Sequence, residues 1–233
     1  MKKSVVLLLF VSAIASGATI KIYGSSGPLA ASAFFEASGT NLVLTFSNIS
    51  LKDVMEPSEV LTALFWNGPA YLNPVSVVLT AGSSVLFGGA DLGGIAGGEW
   101  AFRCGLVGAP ADCGFSSAGF GLFGSPDLFP GNNLQGPASP DGVQYGLTSK
   151  GDNPLTGNSP VTGDNALIQF SVTATFSGLP AGFDPATGLS NFSFQYGTDL
   201  SEPRFGEVSE PATLSLFGFG LAGLVLASKK LTQ

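Results

Sequence analysis

Along this chain apolar and polar positions alternate in short runs set between turn residues. The run "NLVLTFSNIS" (41–50) is the clearest. Leu42, Leu44 and Phe46 fall on one side of a period-two pattern, Val43, Thr45 and Ser47 on the other. Such a pattern is a strand with one face turned to a core. Only Gly39-Thr40 separates it from "SAFFEAS" (32–38), so the two runs predict a hairpin. In "ALIQFSVTATFSG" (166–178), Ile168, Phe170, Val172, Ala174 and Phe176 form an apolar face opposite Leu167, Gln169, Ser171, Thr173 and Thr175. "TIKIY" (19–23), "EVLTALFWN" (59–67), "VSVVLT" (75–80), "SVLFG" (84–88), "EWAFRCGLV" (99–107), "GVQYGLTS" (142–149) and "NFSFQYG" (191–197) are further strand candidates. No run has a convincing helical period. About ten short strands spaced this way predict an all-β fold, a β-sandwich of jelly-roll-like type, with a barrel as the lesser alternative. Residues 88–142 hold fifteen glycines. They predict irregular loops laid over the sandwich with some strands hidden among them.

The two ends break the pattern. "MKKSVVLLLFVSAIASGATI" places Lys2-Lys3 before an apolar run and then small residues, the three-part form of a secretory signal peptide. Residues 1–18 are read as that signal helix, with cleavage between Ala18 and Thr19. A buried N-terminal strand or an uncleaved anchor are the alternatives. At the other end residues 212–228 carry no charge and Lys229-Lys230 follow. Seventeen residues of helix span about 25 Å, just enough for a bilayer core of about 30 Å if the lysines snorkel. This predicts a single transmembrane helix with the lysines on the cytoplasmic side, the alternative being a buried C-terminal helix. The chain thus divides into a signal (1–18), a β-sandwich body (19–207) and a tail (208–233).

The tail resembles the PEP-CTERM sorting signal, through Glu210-Pro211, the uncharged span 212–228 and the basic Lys229-Lys230. Ser209 stands where that family usually has proline, while the Val208-x-Glu210-Pro211-Ala212-Thr213 context is kept. The resemblance implies a precursor held in the inner membrane of a Gram-negative cell. There a membrane-embedded exosortase, a cysteine transpeptidase-like enzyme, cuts near Glu210-Pro211 and releases or transfers the body to the cell surface. Val208, Ser209, Glu210, Pro211, Lys229 and Lys230 would be the residues of the processing signal, acted on by the exosortase and the secretion machinery. Proteins with this tail often accompany extracellular polysaccharide and biofilm matrix. The body also resembles the small Phe- and Gly-rich proteins that carry it, through "ASAFFEASGTNLVLTFSN" and "PDGVQYGLTSKG".

Charge sharpens the reading of the body. From Thr19 to Glu210 five basic residues (Lys21, Lys52, Arg103, Lys150, Arg204) face sixteen acidic ones, a balance of −11. Such a surface repels phosphate backbones and anionic lipid, which argues against nucleic acid as a partner. Cys104 and Cys113 are the two cysteines. In an exported chain they are expected to form a disulfide rather than remain as two buried thiols. There is no C-x-x-C pattern to suggest a redox or zinc site.

The candidate chemistry is sparse. The chain has no histidine, so it has no His-based nucleophilic arrangement and no His-ligated metal site. Two G-x-G-x-x-G stretches, 119–124 and 218–223, lack the strand–helix context of a dinucleotide site. We expect no cofactor, no metal and no catalytic residues. Three weaker readings remain. Glu36, Glu99, Asp141 and Asp184 are carboxylates of the kind glycosidases pair, though no spacing selects two of them. Asp152, Asn153, Asp164 and Asn165 are oxygen donors for calcium, though Gly-Asp-Asn more plainly marks turns. Trp66, Trp100, Tyr71, Tyr145 and Tyr196 would give a carbohydrate-binding module its stacking face, though Trp66 and Trp100 fit core positions better.

Overall fold

A computed structural model of the chain describes residues 17–87, 93–132, 140–163 and 165–206. Residues 1–16 of the proposed signal helix (1–18) and the whole of the tail (208–233), with Glu207 before it, lie outside them. Among the described residues no helix is long and apolar enough to cross a membrane. The strands are β1 (Thr19–Ser26), β2 (Leu29–Ser38), β3 (Asn41–Asn48), β4 (Leu61–Asn67), β5 (Asn73–Leu79), β6 (Ser84–Leu86), β7 (Ala101–Cys104), β8 (Cys113–Ser116), β9 (Leu147–Thr148), β10 (Leu167–Gln169), β11 (Ser171–Ser177), β12 (Ser190–Tyr196) and β13 (Arg204–Gly206). The helices described are short turns, among them α1 (Ser159–Thr162) and α2 (Pro185–Gly188). The described fold is all-β.

Two sheets result. Sheet A runs β1-β2-β3-β11-β5 and is antiparallel throughout. Sheet B runs β13-β12-β4-β9-β10-β6, and β8 lies against β4 with β7 beyond it. The β2–β3 hairpin turns at Gly39-Thr40 as the sequence suggests, with Ser38 opposite Asn41 and Gly39 at φ +62. Three consecutive strands meander in sheet A, so the order departs from the paired Greek keys of a jelly roll.

The inner faces meet through aromatic rings. Phe35, Phe46 and Phe176 point from sheet A and are fully buried. Phe35 meets Trp66 and Phe192, with centroids 5.5 and 5.8 Å away. Phe46 reaches Phe115, Trp100 and Phe194 at 6.0 to 6.3 Å. Phe176 packs on Phe102 at 4.7 Å and on Phe129 at 5.3 Å. Leu42, Leu44, Val172 and Ala174 fill the space between them.

Sheet B is covered on its other face as well. Every residue from Leu61 to Trp66 is buried, which is why this run shows no alternation. Its outer side, Ala63 and Phe65, packs under Phe120, Leu122 and Phe123 of the Gly-rich segment. Loops over the sandwich and a hidden strand, β8, are what that segment supplies. Gly114 of β8 must lack a side chain, because a Cβ there would come within 3 Å of the Phe65 and Phe123 rings.

The 166–178 run is two strands. β10 belongs to sheet B and β11 to sheet A. The break falls at Phe170, whose φ of +86 is rare for a residue with a side chain. Phe170 therefore leaves the apolar face predicted for it and is only half-buried. Ile168, Val172, Ala174 and Phe176 remain in the core.

Phe46→Ala removes the ring that Phe115, Trp100 and Phe194 share. It is expected to destabilise the fold by about 3–5 kcal/mol, checked by denaturant unfolding; a loss below about 1 kcal/mol would contradict this packing.

Candidate functional site

The residues singled out by sequence lie in separate places. Cys104 and Cys113 face each other across β7 and β8 and are joined as a disulfide. The bond closes the hairpin loop 105–112, where Leu106 N–H also donates to the Asp112 carbonyl at 3.1 Å. Asp112 approaches both sulfurs, but the disulfide leaves no thiolate to bind a metal. Ala18 and Thr19 stand at the start of β1. The Ala18 carbonyl accepts from Ala37 N–H at 2.9 Å, while Thr19 begins the β1–β2 ladder opposite Glu36. A cut between them removes one hydrogen bond and spares the strand.

The aromatic reading is corrected. Trp66, Trp100, Tyr145 and Tyr196 have no exposed surface and offer no sugar a stacking face. Tyr71 alone of the five is exposed. Burial pushes the Tyr196 phenol well above its ordinary pKa.

The carboxylates sit on different elements. Asp184 caps α2, its Oδ1 accepting from Ala186 N–H at 2.9 Å. Glu99 is wholly buried. Glu36 and Asp141 line two separate shallow dents. Neither of these two dents is lined by a second of the four.

Two of the proposed calcium donors, Asp152 and Asn153, belong to a clasp. Asp152 Oδ1 accepts from Val54 N–H at 3.0 Å and Asn153 N–H donates to Asp53 Oδ1 at 2.8 Å. Thr156 Oγ1 donates to Asp53 Oδ2, Asn153 Oδ1 accepts from Leu155 N–H, and Lys52 pairs with Glu59. Asn165 lies apart from these, against Gln144, and Asp164 falls outside the described residues. The Thr156 hydroxyl, with the Asn153 N–H, holds Asp53 below the usual carboxylate value of 3.8. Burial raises Asp152, assisted by the charge of Asp53.

Sequence reasoning missed a groove on the outer face of sheet A, lined by Lys21, Tyr23, Phe34, Thr45, Ser47 and Phe170 among others. The outward alternation of β1 marks Lys21 and Tyr23. Nothing in the local pattern marks Phe170, because the strand break that turns it outward is a tertiary event.

A two-layer β body followed by an uncharged span and a basic end defines a chain built as passenger and address. The address is established by comparison: the family described as PEP-CTERM protein-sorting motif matches residues 207–230. The tail is thus a sorting signal of the exosortase-dependent kind, with the export, membrane-anchored precursor and surface delivery that it implies. The match includes Val208, Ser209, Glu210, Pro211, Lys229 and Lys230 and leaves the body unclassified. No curated protein and no solved structure matches the chain.

Replacing both cysteines by serine is expected to cost about 2–3 kcal/mol, from a loop this short, read as a lower unfolding midpoint. The clasp carries a pH test. Asp53, lowered in the fold, stabilises above pH 3.8 and loses that effect as pH falls through its shifted value. Asp152, raised in the fold, acts oppositely, since its ionisation takes stability away. At pH 7 Asp53→Asn is therefore expected to lower the melting temperature. Asp152→Asn, which keeps an acceptor for Val54 N–H, is expected to hold or raise it; the reverse order would refute this assignment.

Proposed function

We propose that this chain is a secreted, exosortase-sorted protein of the cell surface or extracellular matrix, whose body works by presence and binding rather than by catalysis. The match at 207–230 carries this reading. Residues 1–18 direct export and are cut after Ala18. Residues 212–228 hold the precursor in the inner membrane with Lys229-Lys230 inside. Glu210-Pro211 is the part that exosortase reads.

The non-catalytic half of the reading rests on how the acids are used. Asp184 caps a helix, Glu59 pairs with Lys52, Asp127 accepts from Gly124 N–H, and Asp53 and Asp152 tie two loops together. Each has structural work that accounts for it.

A second reading, binding of matrix polysaccharide by the body, is favoured by the open aromatic and hydroxyl-bearing groove on sheet A.

Mass spectrometry of protein recovered from the cell surface tests the sorting claim. We expect a mature C-terminus near Glu210-Pro211. Surface material that still ends in "LASKKLTQ" would refute processing.

A further inference from the structure

The outer face of sheet A has a regular order. Strand register places Lys21, Phe34, Thr45, Thr173 and Val78 in one row across the five strands. The next row is Tyr23, Ser32, Ser47 and Ser171. A groove of about 400 Å³ crosses this face and ends against Phe170. One of its hydroxyls, Ser47, is held by a hydroxyl chain that runs on through β11. Ser47 and Ser171 Oγ are 2.8 Å apart, Ser171 lies 3.1 Å from Thr80 Oγ1, and Thr80 lies 3.0 Å from Thr173.

Cations gather here. Of the five in the body, Lys52 pairs with Glu59 and Arg103 faces Asp127 at 3.9 Å. Among the described residues the other three have no carboxylate within ion-pair reach. Two of those three flank the groove. Lys21 Nζ sits 5.2 Å from the Tyr23 ring centroid and Lys150 Nζ 5.2 Å from that of Phe170. The rings orient the ammonium groups without neutralising them. The nearest carboxylate by register is Glu36, opposite Thr19 in the row on the far side of Lys21.

We propose that this groove binds a short segment of an acidic polysaccharide, its uronate carboxylates on Lys21 and Lys150 and its ring C–H faces on Tyr23 and Phe170. The proposal rests on the surface-delivery reading, which places the body among such polymers. Charge selects the occupant. A second copy would bring two strongly acidic bodies together, whereas a uronate segment meets two unpaired cations. The acidic remainder of the surface is damped beyond about 8 Å at physiological salt, so the local pair decides the interaction inside the groove. A duplex or a lipid surface is too broad to enter the groove and would lie against the acidic remainder of the body, whereas a single polysaccharide strand can leave that remainder beyond screening distance.

The test is calorimetric titration of the full chain in mild detergent with oligogalacturonate, beside a neutral glucan oligosaccharide of equal length. We expect the uronate to bind and the glucan not to. The Kd for the uronate should rise about tenfold in Lys21→Gln/Lys150→Gln and again in Tyr23→Ala, and should weaken in 0.5 M salt as an exposed charge pair does. Unchanged thermal unfolding would show that these surface variants fold. Equal affinity for the glucan, no binding by the native chain, or unaltered affinity in the double variant would each overturn the proposal. Binding in detergent does not depend on the C-terminal cut. An uncut tail with binding intact refutes sorting alone, and a cut tail without binding refutes the groove alone.

Discussion

The structure depends on three phenylalanines of one sheet meeting the aromatic inner face of the other. Phe35, Phe46 and Phe176 are each carried by a different strand of sheet A, and each touches at least two rings of the opposite layer. Aromatic pairs bury large areas and prefer edge or offset contacts, so these rings fix both the spacing of the sheets and their relative register. With 11% charged residues in the chain and only short helical turns among the described residues, the body joins its halves chiefly through these rings.

The rest of the architecture follows from that joint. Sheet B is covered twice, by sheet A within and by the Gly-rich segment without. The disulfide and the close approach at Gly114 belong to that outer cover. Sheet A has no such cover among the described residues. Its outer face keeps hydroxyls, three aromatic rings and two lysines at a groove. The asymmetry gives the body one dressed face and one available face, and the proposed binding belongs to the available one.

Much of this was legible in the sequence where one face meets the core and the other meets solvent. Leu42, Leu44 and Phe46 are buried as their alternation predicts, and the Gly39-Thr40 hairpin forms in its expected register. Legibility fails where that condition fails. Leu61–Trp66 is buried on both faces and shows no period. In 142–149 only Leu147–Thr148 pairs as a strand, and β8 and β13 are too short to leave a pattern. The stacking platform was misplaced for a physical reason. Four of the five expected aromatics serve the inter-sheet joint, and Phe170 escapes the core only because the chain changes sheets at that residue. The sorting signal was readable because span, charge and position agree locally and need no tertiary fold.

Body and tail thus answer to different constraints. The body is held by its own inter-sheet rings, disulfide and clasp, and the tail by what a membrane and a processing enzyme require. If the tail is an address only, the folded body does not need it. Comparing thermal unfolding and near-ultraviolet circular dichroism of the full chain with those of the chain lacking residues 207–233 tests this most directly. Both are expected to show the same cooperative transition and the same aromatic signature. Loss of cooperativity or of the aromatic signal on removing the tail would contradict it.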